Sequence, residues 1–137
     1  MFKVILVAFL CLFLLTGCVI EKDAAILLSS EPIDPQNFNF LNKQPVFTVR
    51  QNIYYILLSK KPIRNEKLRL QVLKVELKGP IYKIEPAYGI DINRGEQEHY
   101  VTDYFTLHKA GDYFIRIFSF DDLEYPIAET QFKVEDL

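Results

Sequence analysis

The chain has 137 residues, half of them hydrophobic, which is enough for one compact core and too short for two ordinary domains. Its 16 Lys and Arg face 18 Asp and Glu, a net charge of −2. No basic cluster interleaved with aromatics occurs, so composition gives no footprint for nucleic acid.

Met1-Phe2-Lys3 is a short positive start, and Val4 to Leu15 is an unbroken apolar run of about 12 residues, the length of a signal h-region and short of the roughly 20 that a spanning helix needs. Small residues, Thr16 and Gly17, then precede Cys18. Leu15-Thr16-Gly17-Cys18 resembles the lipobox of bacterial lipoproteins. That resemblance implies that the Cys18 sulfur receives a diacylglycerol group and that the leader, residues 1–17, is cut between Gly17 and Cys18. One acyl chain anchors marginally and two or three anchor stably, at ~0.8 kcal/mol per buried methylene. Cys11 is the one other cysteine and leaves with the leader, so no internal disulfide remains in the mature chain. Val19 stands where some inner-membrane lipoproteins carry Asp. In a Gram-negative host the resemblance therefore implies the outer membrane, facing the periplasm.

Residues 18–45 read as the lipidated N-terminus and a tether, because Ser29-Ser30-Glu31-Pro32 and Asp34-Pro35-Gln36-Asn37 favour turns and extended chain. Ala24 to Leu28 is apolar within it, fitting either a short helical turn or an edge strand. Residues 46–137 read as the domain. Val46 to Val49, Asn52 to Ser59, Leu68 to Lys78, Ile81 to Glu85, Gln97 to Leu107, Gly111 to Phe120 and Ile127 to Val134 are predicted strands, separated by Pro-, Gly-, Asn- and Asp-containing breaks. Leu68 to Leu77 also contains good helix formers, and the alternation of Leu68, Leu70 and Val72 with Arg69 and Gln71 decides for strand. About seven short strands with turn signals between them predict an all-β antiparallel sandwich.

Leu107 to Ile117, followed by Ala128 to Val134, resembles the closing strands of immunoglobulin-like domains. There a Gly-x-Tyr turn opens the sixth strand, and its Tyr bonds back to the preceding loop. Gly111 and Tyr113 match that pattern. Ile115 stands where antibody domains have Cys, and Lys109 where such motifs often have Asp.

Reactive groups are few. His99 and His108 lie outside any metal spacing, and neither a serine elbow nor a Gly-rich phosphate loop occurs. Asp91-Ile92-Asn93-Arg94-Gly95-Glu96 has oxygen ligands at alternating positions but lacks the distal Glu of a calcium loop, and reads as a solvated turn. Asp121-Asp122 with Glu124 reads as a charged hairpin tip. The expectation is a protein without catalytic residues, metal or cofactor.

The strand around Phe114 is more informative. Tyr113, Ile115 and Ile117 alternate to one face, and Phe114, Arg116, Phe118 and Phe120 to the other. One face belongs to the core, and the other should be polar in a solitary sandwich. Tyr54 poses the same question on the strand Asn52 to Ser59. Aromatic and arginine groupings anchor interfaces, which makes Tyr54, Phe114, Arg116, Phe118 and Phe120 a candidate interaction surface. A cover by Ala24 to Leu28, or by the loop around Tyr88, is the competing explanation.

The leading expectation is a membrane-anchored envelope lipoprotein that acts as a non-enzymatic protein-interaction or assembly module, with another envelope protein as partner. The alternative is a lipid-anchored small-ligand or carbohydrate-binding module. Ligand binding predicts several rings lining one concave patch, whereas docking predicts a flatter apolar patch or a free edge strand.

Overall fold

The computed structural model describes residues 23–37, 46–63, 67–93 and 98–137. The leader, the lipobox and Cys18 lie outside them, as do Arg64-Asn65 and Arg94-Gly95-Glu96. The described residues form eight strands: β1 (Ala24–Ser29), β2 (Val46–Thr48), β3 (Asn52–Ile63), β4 (Lys67–Lys78), β5 (Ile81–Asn93), β6 (Glu98–Thr106), β7 (Gly111–Ser119) and β8 (Ala128–Glu135).

They build two sheets, a three-stranded one in the order β1-β3-β6 and a five-stranded one in the order β2-β8-β7-β4-β5. The pairings are antiparallel except β2 with β8, which run parallel. The all-β, two-sheet expectation holds, and Leu68 to Leu77 is a strand. Alternation sets which side chains meet between the layers. Ile53, Tyr55 and Leu57 of β3, Leu68, Leu70 and Val72 of β4, and Tyr113, Ile115 and Ile117 of β7 are all buried in one core. Each fully buried aliphatic or aromatic side chain contributes ~1.5–3 kcal/mol over its exposed state.

An aromatic chain joins the layers. Phe105 of β6 stacks on Tyr88 of β5 with ring centroids 5.6 Å apart and meets Phe132 of β8 at 6.0 Å. Phe132 in turn stacks on Tyr113 at 5.5 Å and takes the edge of Phe47 at 6.0 Å. Such contacts add ~0.5–1.5 kcal/mol each beyond the area they bury.

Three boundaries differ from the sequence reading, the first being the end of β3, which runs past Ser59 and through Lys60-Lys61-Pro62 to Ile63. Ala24–Ser29, assigned to the tether, pairs along β3 and places Ile26 and Leu28 in the core, so the sheet begins six residues after Cys18. The apolar run is spent on an edge position and does not lie over an outer face. β5 runs on past Glu85 to Asn93, through Pro86 and Gly89, with an extra residue at Ala87 where the register shifts. Tyr88 points inward, so it is not a cover for the Phe114 face either. Arg50 has φ 65° and sits in the turn that carries the chain from β2 in one sheet to β3 in the other; its N–H donates to the Leu107 carbonyl at 2.8 Å.

The Tyr113 hydroxyl donates to the Lys109 carbonyl at 2.6 Å, closing the corner before β7, and burial pushes its pKa up. Tyr113→Phe keeps the ring stacked on Phe132 and removes one hydrogen bond. A loss of about 1 kcal/mol, seen as a lower urea midpoint at unchanged slope, is the expected result.

Candidate functional site

Registers counted outward from the core define the outer face of the five-stranded sheet. On β4 and β7 it carries Arg69 beside Phe118, Gln71 beside Arg116, Leu73 beside Phe114 and Val75 beside Asp112. β5 adds Asp91, Pro86, Ile84 and Tyr82, the last opposite Leu77. β8 adds Glu129, Gln131 and Lys133, and β2 adds Val46.

The half of this face nearest the start of β4 is cationic and aromatic. The Arg116 guanidinium lies 4.4 Å from the Phe114 ring centroid, with Nε 3.7 Å from Glu129 Oε2. Arg69 and Lys67 stand over the Phe120 ring at 4.7 and 4.9 Å. Arg69 Nε also donates to Asp91 Oδ1 at 3.0 Å, a bond that holds the Asp91 carboxyl below its usual range. The four candidates Phe114, Arg116, Phe118 and Phe120 are thus one neighbourhood, and Phe118 is itself buried. Tyr54 is not part of it. It lies on the outer face of the other sheet, where its ring meets Tyr104 at 5.4 Å.

The half nearest the β4–β5 turn is an open groove of about 700 Å³. Val46, Val75, Leu77, Tyr82 and Phe114 supply its apolar side chains, and Asp112, Gln131 and Lys133 its polar rim. Leu77 is 65% exposed and Tyr82 68%, far more than such side chains usually show. The same hairpin is charged on its opposite, inner side. There Lys74 Nζ donates to Glu76 Oε1 at 2.7 Å, and Lys83 pairs with Glu85 at 2.5 Å. These hydrogen bonds raise the Lys74 and Lys83 pKa values and lower those of Glu76 and Glu85. The hairpin therefore inverts the usual arrangement, with charge on the core side and apolar groups outside.

Val75, Leu77, Tyr82 and Ile84 are not among the residues expected at the site. Their signal is present in Leu73, Val75 and Leu77 alternating with Lys74, Glu76 and Lys78. Alternation shows that a strand has two faces, but not which of them meets the core.

The histidines do not converge on a reactive group. His99 Nδ1 lies 3.1 Å from the Ser59 carbonyl. His108 lines a recess of about 240 Å³ with Lys74, Glu85 and Lys109. Glu85 is committed to Lys83, and a carboxyl held below its normal range is a weak general base near neutrality. Asp91 and Asn93 belong to β5, and among the described residues no group of three or more His, Cys, Asp or Glu is placed to hold a metal. Asp122 Oδ1 accepts from the N–H groups of Glu124 and Tyr125 at 3.0 and 3.3 Å, making the acidic tip a local turn.

No protein-family model matches the chain, and no curated protein matches it in sequence. Among solved structures, the alkylpurine DNA glycosylase AlkC of Pseudomonas fluorescens, bound to DNA containing an abasic site analogue, shares 11% identity at a TM-score of 0.39, with 82% of this chain and 30% of that one covered. The sporulation control protein Spo0M of Bacillus subtilis shares 12% identity at a TM-score of 0.39, with 83% and 49% covered. This chain spans under half the length of either.

The ion pairs on the inner side of the hairpin give its end a pH dependence of definite sign. Carboxyls with lowered native pKa values stabilise above the unfolded value of ~4.3, and the contribution is lost as pH falls through the native value. Amide exchange at Lys74, Lys78 and Lys83, whose N–H groups lie in the bonded pairs of the β4–β5 ladder, corrected for intrinsic rates, should be level from neutrality to about pH 5 and quicken below about pH 4. The Glu76→Gln/Glu85→Gln variant should show no such acid limb.

Proposed function

We propose that this chain is a bacterial lipoprotein, cut between Gly17 and Cys18 and acylated on Cys18, whose immunoglobulin-like domain serves as a non-enzymatic protein-interaction module in the cell envelope. The observation that carries the docking part is the inverted hairpin. Apolar side chains of Val75, Leu77, Tyr82 and Ile84 face outward while Lys74, Glu76, Lys83 and Glu85 occupy the core side. An exposed apolar patch with a polar rim is what a protein partner buries. Of the four aromatic residues that line the groove, Tyr113 and Phe132 are buried in the core, and the open surface left by Tyr82 and Phe114 suits docking better than stacking of a small planar ligand.

Two features support the immunoglobulin-like assignment. β1, β3 and β6 correspond to strands A, B and E of that fold, and β8, β7, β4 and β5 to G, F, C and C′. Tyr113 at the start of β7 bonds back to the loop before it. The anchor reading rests on Leu15-Thr16-Gly17-Cys18 and on its place behind an apolar leader. Ala24 pairs with Ser59 near the β3–β4 connection, whereas the groove lies by the β4–β5 turn, so the described chain enters the domain at the end away from the groove.

Intact mass and membrane fractionation of wild type and Cys18→Ser in a bacterial host test the anchor. A chain beginning at Cys18 with a lipid-sized mass increase, membrane-bound and lost in the variant, is expected. An unmodified soluble wild type overturns it. Photo-crosslinkers at Tyr82 and at Tyr54 test the docking face: specific adducts in the envelope are expected from position 82, and adducts from position 54 alone refute this groove.

A further inference from the structure

β5 is the longest edge of either sheet, with 13 residues against nine for β6, six for β1 and three for β2. Among the described residues, no strand pairs with its other side. The closing pair of the hairpin is Lys78↔Ile81, joined by Gly79 at φ 61° and Pro80, which fits a two-residue turn with Gly first. In an antiparallel ladder, hydrogen-bonded and non-bonded pairs alternate from that closing pair. Ile81, Lys83 and Glu85 therefore turn their N–H and C=O groups to β4, while Tyr82 and Ile84 turn theirs to the free edge. Pro86 falls in the same outward set, where its missing N–H costs the β4 ladder nothing.

We infer that β5 pairs with β5 of a second copy of this chain, antiparallel and two-fold about Ile84, to give one continuous ten-stranded sheet. The two-fold sets Ile84 against Ile84, Tyr82 against Pro86, Lys83 against Glu85 and Ile81 against Ala87. The charges across the four central strands then read Lys74, Glu85, Lys83, Glu76 in one row and Glu76, Lys83, Glu85, Lys74 in the next, using the observed β4–β5 registers within each copy. Every charge has opposite neighbours both along and across the strands. The other face is apolar throughout, with rows Val75, Ile84, Ile84, Val75 and Leu77, Tyr82, Pro86, Leu73. Moving the two-fold to residue 83 sets Lys83 against Lys83, and moving it to residue 85 sets Glu85 against Glu85, each unfavourable for directly opposed like charges. The sequence of the edge is thus complementary to itself in one of these registers.

The pairing goes beyond the docking reading and is independent of it. It uses the edge of β5 and leaves the apolar face open to a partner, and it does not require the lipid anchor.

Sedimentation velocity of the purified full chain in detergent should show a concentration-dependent dimer. Lys83→Glu opposes two carboxylates across the interface, and Glu85→Lys opposes two ammonium groups. Each variant alone should self-associate at least about tenfold more weakly. An equimolar mixture of the two should recover the dimer. In the mixed pair the carboxylate introduced at position 83 of one copy meets the ammonium introduced at position 85 of the other, and the unaltered Lys83 and Glu85 meet at the symmetry-related contact. A loss of dimer through damage to the hairpin would leave the mixture monomeric. In a second measurement, Ile84→Cys should form a disulfide-linked dimer under mild oxidation, since bonded antiparallel partners lie ~5.5 Å apart between Cα atoms, within disulfide reach. Ile90→Cys on the same strand should stay at the wild-type background. A wild type that is monomeric at all concentrations, a mixture that fails to recover, or equal crosslinking at positions 84 and 90 overturns the inference.

Discussion

The structure depends on a mismatch of width, because a sheet of three strands packs on a sheet of five. The stack of Tyr88 on Phe105 marks where cover by the smaller sheet ends. On the inner side of β4, Leu68, Leu70 and Val72 are fully buried, and two residues further along the same face stands Lys74. Past this limit the inner surface meets water, and an apolar side chain there would stay exposed. The Lys74, Glu76, Lys83 and Glu85 lattice replaces it. The Lys83–Glu85 pair is exposed and the Lys74–Glu76 pair only part-buried, and pairs so near the surface add little stability one by one. Their effect is to keep a long two-stranded extension soluble on one side and in a single register.

With charge on the inner side, the apolar residues required for strand propensity and cross-strand packing fall on the outer side. Val75 and Ile84 pair directly, as do Leu77 and Tyr82, so the hairpin is held together by the surface it displays. An exposed apolar patch costs solubility, and the protein retains it next to Phe114 and Val46, where the sheet is widest. Arg116 and Arg69 close the other end of the face by lying over Phe114 and Phe120. There the cations cover ring area that would otherwise be open. The face thus has a cation-covered end with a recess of about 350 Å³ beside Arg69 and Asp91, and an apolar end with the groove of about 700 Å³.

How far this is legible in the sequence depends on whether local pattern or global cover decides each point. Periodicity places β2, β3, β4, β6, β7 and β8 to within a few residues, because alternation and turn residues are local. The Gly111 and Tyr113 pattern foretells the bond to Lys109, since a corner of that kind is set within five residues. A local reading ends β5 too early because Pro86 and Gly89 resemble breaks, and nothing local shows that Pro86 sits on an edge with its nitrogen facing away from the ladder. β1 merges into the tether in sequence because its partner Leu58 is over thirty residues away. Alternation along β7 groups Phe114, Arg116, Phe118 and Phe120 on one outer face, but the same reading adds Tyr54, which the other sheet carries. A strand does not record which of two layers it joins.

The edge of β5 raises the general hazard of sheet proteins, since an unpaired apolar edge is a template for unlimited association. Three features restrict this one. The extra residue at Ala87 breaks the register, Pro86 offers no N–H, and the Lys83 and Glu85 pair disfavours the registers that would oppose like charges. What remains is a stretch of about five residues, 82 to 86, short enough to exclude long unregistered zippers. A two-fold pairing through this stretch occupies the edge on both copies at once, so the association closes at two and cannot propagate along the edge as a fibre would. The features that guard the edge against nonspecific partners are therefore the same ones that define a single self-complementary register.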